Sequence, residues 1–140
     1  MSRRTRVRQV VLQLLYQDEL NPIGEIPWRQ FLKNRLSGKT DLMEFGEKLF
    51  IGVRDNRHQI DDLVSAASNN WKLARMAAID RNVIRLAVFE FLHFGTPGPV
   101  AINEAIELAR RYGDNDSPQF VNGILDRVYR AQLSPAPNEQ

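Results

Sequence analysis

Apolar residues return at helical intervals along this chain, and no stretch shows the sustained alternation of a half-buried strand. That spacing is the tightest constraint on the fold, because a stripe repeating at i, i+3, i+4 and i+7 is buried by packing one helix on another. Val7, Val10, Val11, Leu14 and Leu15 form the first such stripe. With 140 residues there is about one domain's worth of chain, enough for a single core. The predicted fold is all-α, with about seven helices in two small packed helical subdomains.

Turn and cap residues divide the helices. The first should end near Asn21 and Pro22. A short second helix should follow Pro27, a residue suited to a first helical position, and bury Trp28, Phe31 and Leu32 until Ser37 and Gly38 interrupt it. Asp41 and Glu44 have capping-box spacing, and Leu42, Phe45, Leu49, Val53, Ile60, Leu63 and Ala67 follow at near-helical intervals. This predicts one third helix, the longest of the chain. The Ser68, Asn69, Asn70 cluster closes it and marks the expected boundary between subdomains 1–69 and 70–133. A brief helix is expected from Trp71 to Ala77, and Asp80 is expected to cap a strongly apolar helix holding Val83, Ile84, Leu86, Ala87, Phe89, Phe91 and Leu92. Two glycines and two prolines over 95–99 form a connection. The next helix, from about Val100 to Tyr112, should stop at Gly113 as its C-terminal cap. Ser117 before Pro118 is a helix-start signal, with the hydroxyl as cap and Val121, Ile124, Leu125 and Val128 as the buried face. Residues 134–140 read as a disordered tail.

The composition, 43% hydrophobic and 26% charged, is that of an ordinary globular protein. No apolar run reaches the length of a membrane span, and the chain opens with arginines rather than a signal-peptide core, so a cytoplasmic protein without membrane association is expected. The absence of cysteine excludes disulfides, thiolate catalysis and cysteine zinc sites. His58 and His93 lack the spacing of metal ligands. Asp61 and Asp62 are neighbours on a helix, point about 100° apart, and read as a solvated face rather than an acid–base pair. The glycines from 113 to 123 carry no GK[ST] signature. No catalytic residue, cofactor or metal is expected.

The charge distribution points elsewhere. The formal net charge is only +2, yet residues 1–16 hold Arg3, Arg4, Arg6 and Arg8 with no acidic residue, while the rest of the chain sums to −2. Positive charge in the first turns of a helix opposes its macrodipole by a few tenths of a kcal/mol per residue. A bound phosphate backbone would supply the compensating interaction, and Arg4 and Arg8, being i, i+4 neighbours, can lie along one strand. The alternative is a frayed, solvated start over residues 2–6. Gln13 and Tyr16 lie on the polar side of the same helix, where a tyrosine can stack on an unpaired base and an amide can read its edge. Tyr16 can equally be a residue at the margin of the core.

Three stretches carry a family resemblance. The run VAINEAIE from Val100 to Glu107, continued by LARRYGDNDSPQFVNGILDRV through Val128, is similar to the C-terminal signature of the NusB family. The opening RRTRVRQVVLQLLYQ from Arg3 to Gln17 resembles that family's arginine-rich start, and WKLARMAAIDRNVIRLAVFEFL resembles its middle signature. The resemblance covers most of the chain in order. It implies a two-subdomain all-α fold without catalysis and a role in antitermination at ribosomal RNA operons. It also implies partners: single-stranded boxA-type RNA, the ribosomal protein NusE, and the RNA polymerase antitermination complex. Some members form homodimers that cover the RNA face. Carried over by position, the RNA surface comprises Arg3, Arg4, Arg6, Arg8, Gln13 and Tyr16, with Phe120 and Asn122 from FVNG, and Asp80 lies in the NusE-facing segment. Packing is an alternative role for Phe120, Gly123 and Leu125. Gln119 stands where many relatives have lysine, which removes one phosphate contact implied by the resemblance unless Arg127 or another residue supplies it, and residues 21–40 match none of the quoted motifs, leaving the loops of the first subdomain open. Two other readings stay open. One is an accessory domain of the kind attached to certain RNA methyltransferases, with no methyltransferase domain in these 140 residues. The other is a helical adaptor that binds protein alone, which an RNA gel shift distinguishes.

Overall fold

The computed structural model describes residues 2–68 and 73–133. Among them there is no strand, and the helices are α1 (Arg3–Leu20), α2 (Glu25–Arg35), α3 (Thr40–Asp55), α4 (Arg57–Ala67), α5 (Ala78–His93), α6 (Gly98–Tyr112) and α7 (Ser117–Leu133), with a 3₁₀ turn at Leu73–Arg75. The all-α expectation therefore holds. Asn69, Asn70 and Trp71, on which part of the expected boundary and brief helix fell, and the expected tail at 134–140, lie outside the described residues. By packing, the chain forms two compact units, Met1–Asp55 and Asn56–Gln140.

In the first unit α1 packs on α3 and α2. Its middle is enclosed nearly all round, burying Val7, Val10, Val11, Leu12, Leu14 and Leu15. Trp28 of α2 and Phe50 of α3 meet with ring centroids 5.0 Å apart. The Arg54 guanidinium closes the end of α1 by donating to both oxygens of Asp18, at 2.8 and 3.1 Å, and to the Ile23 carbonyl at 2.9 Å. Asp18 in turn accepts from the Ile23 amide at 2.8 Å. A forked donor meeting a carboxylate and a turn carbonyl fixes the connection after α1 to α3.

Three sequence expectations are corrected here. The second helix starts at Glu25, so Pro27 sits inside its first turn, where a missing N–H is still harmless. Phe31 is only half-buried. The long third helix is two, α3 and α4, parted at Asn56, and α1 with 18 residues is longer than either.

In the second unit α5 is the central helix, buried from Asn82 to Glu90, and it packs on α4, α6 and α7. Asp61 is not merely solvated: Arg85, itself buried, donates Nε and Nη2 to its two oxygens at 2.8 and 3.0 Å, tying α4 to α5. Asp80 does not cap α5, because that helix begins at Ala78 with Ala77 in the cap position. The helix expected from Val100 opens two residues earlier at Gly98, after Pro97. Gly113 does end α6, but with extended backbone rather than a left-handed one.

Candidate nucleic-acid interface

The basic start is an ordered helix end. Ser2 occupies the N-cap, its Oγ accepting from the Thr5 amide at 3.0 Å, and the Ser2 carbonyl accepts the Arg6 amide at 3.2 Å. A capped first turn holds the arginines at fixed angles about the axis instead of leaving them frayed.

Those angles separate the four arginines into two pairs. At 100° per residue, Arg6, Gln13 and Tyr16 fall within about 80° of one another, and Arg3 lies about 60° to the other side of Arg6. Arg3 and Arg6 are exposed, Gln13 is half-buried and Tyr16 is 37% exposed. Arg4 and Arg8 lie on the opposite side, where their guanidinium carbons stand 4.4 and 5.4 Å from the centroid of the Phe45 ring on α3. Arg4 remains exposed, whereas Arg8 is only 5% exposed. The expected strand-tracking pair Arg4 and Arg8 does share a side, where both guanidinium groups lie against one aromatic ring.

Arg35 of α2 joins the first group. Its Nη1 donates to Gln13 Oε1 at 3.1 Å, and its guanidinium lies 4.5 Å from the Phe31 ring centroid. Nothing local in the sequence announces this, because 22 residues separate the partners.

In the second unit the FVNG segment forms the first turns of α7. Val121 and Leu125 are buried, Phe120 is half-buried and Asn122 is exposed. Phe120 and Asn122 point about 200° apart and so flank the exposed face of the helix rather than sharing its centre. Gln119, Gly123 and Arg127 lie between them. A Cβ added at Gly123 would meet nothing within 4 Å, so its lack of a side chain serves no packing need among the described residues.

Asp80 is brought to the loop that precedes α7. The residue is 7% exposed, and its carboxylate accepts a hydrogen bond from the Ser117 hydroxyl and has one oxygen, Oδ1, without a hydrogen-bond partner. Burial raises its pKa, the Ser117 hydrogen bond opposes the rise, and the nearby Asp114 charge adds to it. The Ser117 hydroxyl, expected to cap α7, instead accepts the Asp114 amide at 2.9 Å. Gly113 makes this possible, since a Cβ there would stand 2.4 Å from Ser117 Oγ. Asp80 thus acts on the loop at 113–117.

No group of three or more His, Asp or Glu side chains among the described residues is arranged to hold a metal ion, and no described helix is long and apolar enough to cross a membrane. His93 Nε2 lies 2.8 Å from Gln59 Oε1, an ordinary surface pairing.

The described helices thus present two distinctive faces, a capped, arginine-bearing one on α1 and an open one with a bare glycine on α7. The NusB family model matches residues 5–130, and the chain belongs to the NusB family, whose members are non-enzymatic transcription antitermination factors. Transcription antitermination protein NusB of Anaeromyxobacter dehalogenans is 46% identical over 136 residues, spanning 96% of this chain and 95% of that protein. The solved structure of NusB from T. maritima is 38% identical, with a TM-score of 0.81 over 93% of this chain and 92% of that one. A chain from a structure of antitermination factors NusB and NusE in complex with dsRNA shares the fold, at 22% identity and a TM-score of 0.83 over 94% of this chain and 98% of that one.

Proposed function

We propose that this protein is an RNA-binding adaptor that takes single-stranded boxA-type RNA of ribosomal RNA operons jointly with NusE, in the cytoplasm, within the RNA polymerase antitermination complex. The observation that carries the reading is the ordered face of α1, where capped Arg3 and Arg6 lead to Gln13 and Tyr16. Cations at a helix N-terminus oppose its dipole, and a polyanion relieves that cost. Arginines meet phosphates, the amide meets a base edge, and the exposed tyrosine offers a stacking surface. The complex of NusB and NusE with dsRNA supports RNA and NusE as partners. On α7, Phe120 supplies a second stacking edge and Asn122 a second amide, while Asp80 keeps the preceding loop in place through Ser117.

Titration of a fluorescent boxA-type RNA with and without NusE tests this, with a duplex of the same sequence as a second arm. Tighter binding of the single strand in the presence of NusE is expected. Equal affinity with and without NusE contradicts the adaptor role, and preference for the duplex contradicts the single-strand reading.

Gly123 gives a further check. Glycine inside a helix costs about 0.5 to 1 kcal/mol relative to alanine, and here no close neighbour repays it. Gly123→Ala is expected to stabilise the protein by that margin, seen as a higher urea midpoint, while weakening RNA binding, because a methyl group would stand on the open face of α7. A stabilised variant with unchanged affinity would show that RNA does not approach this face.

A further inference from the structure

Resting on the RNA reading of α1, we infer that Arg35 is a specificity-determining positioning residue, which turns the Gln13 amide so that it offers a hydrogen-bond donor to one base of the RNA. Arginine carries only donors, so the atom of Gln13 that it meets at 3.1 Å has to be the carbonyl oxygen. That bond removes the amide's freedom to flip, which would otherwise let it present either its oxygen or its NH2 to a ligand. The Nε2 edge is left for the ligand. Arg35 is itself held, since its guanidinium rests against the Phe31 ring at 4.5 Å, and Arg35 is exposed while Gln13 is half-buried. The side chains of Arg35 and Gln13 make no hydrogen bond, ion pair or ring contact among the described residues beyond these.

A donor held in this way selects an acceptor. Uracil and guanine present a keto oxygen where cytosine and adenine present an amino group. The fixed Nε2–H group therefore favours a keto base at the position it meets and opposes the amino counterpart, donor against donor. Single-stranded RNA exposes these edges, as duplex RNA does not.

The test is fluorescence anisotropy with a boxA-type RNA and a panel of its single-base replacements exchanging U with C and G with A, together with thermal melting to confirm that each variant is folded. The expected result is one position at which the wild-type protein binds the keto base about three- to tenfold more tightly, the worth of one hydrogen bond. Arg35→Ala and Gln13→Ala should each reduce that ratio to below about twofold, and the double variant should reduce it no further, because both act through the same amide. Arg35→Lys, which can still donate to Oε1, should retain part of the preference. Retention of the full preference in Arg35→Ala overturns the inference. So does a uniform loss of affinity for every RNA with a salt slope smaller by about 0.7, which would make Arg35 a phosphate contact. RNA binding without a keto preference at any position overturns it while leaving the proposed function standing. Failure of the wild-type protein to bind any of these RNAs overturns both.

Discussion

Leu125→Ala is expected to destabilise the protein by roughly 2 to 5 kcal/mol, measured from the shift of its urea unfolding midpoint. Leu125 is 0% exposed on the inner side of α7, the helix that packs on α4, α5 and α6. Truncation loses the transfer free energy of the removed methyl groups and leaves a cavity that three neighbouring helices can close only in part. The size of the effect separates the two sides of the FVNGILD segment. Leu125 belongs to the core, Asn122 and Gly123 to the surface, and Phe120 sits at the margin. RNA affinity measured well below the unfolding midpoint should stay within about twofold of wild type, since the exposed face of α7 is untouched. A shift below half a kcal/mol would show that α7 is placed wrongly.

The second large effect concerns the arginines. Each phosphate contact to a single strand contributes about −0.7 to the slope of log affinity against log salt concentration. Arg3 and Arg6 lie on the exposed face with Gln13 and Tyr16, so replacing both by alanine should remove two such contacts. At about 0.1 M salt this corresponds to a loss of affinity on the order of twentyfold, taking the electrostatic contribution to vanish near 1 M. Arg8 is a built-in control. It is buried beside Phe45, and Arg8→Gln should cost stability rather than salt-dependent affinity, because its stem fills space and its guanidinium faces a ring.

The helices were legible because their apolar stripes are local, and the breaks between them only where the residue types enforce one. The split between α3 and α4 was hidden for a physical reason. Asn56 leaves the helical region, at φ −107° and ψ 13°, yet it is neither proline nor glycine, so its residue type announces no break. In sequence Val53 and Ile60 stand seven residues apart, and the apolar stripe reads through the break unaltered. The residue type of Asp80 suggests a cap, whereas its carboxylate is used by Ser117 from another helix end. The sequence around Asp61 shows only a solvated face, because its partner Arg85 lies 24 residues away.

The candidate site divides in the same way. Arginines in the first turns and a polar side with Gln13 and Tyr16 could be read from one helix. The Phe45 ring that occupies Arg4 and Arg8, and the Arg35 bond that orients Gln13, depend on chain segments brought together only by folding. Helical periodicity places a side chain on a face. It does not say which other element covers that face.

If the exposed arginines of α1 hold RNA by its phosphates, the salt dependence of boxA-type RNA binding has to change when they are removed. Affinities of the wild type, the Arg3→Ala, Arg6→Ala double variant and Arg8→Gln are to be measured across a range of salt concentrations. The double variant should flatten the slope by about 1.4 units, and Arg8→Gln should leave it unchanged. A double variant that keeps both the wild-type slope and the wild-type affinity would contradict the account, showing that the capped, basic start of α1 is a solvated helix end and not an RNA-binding face.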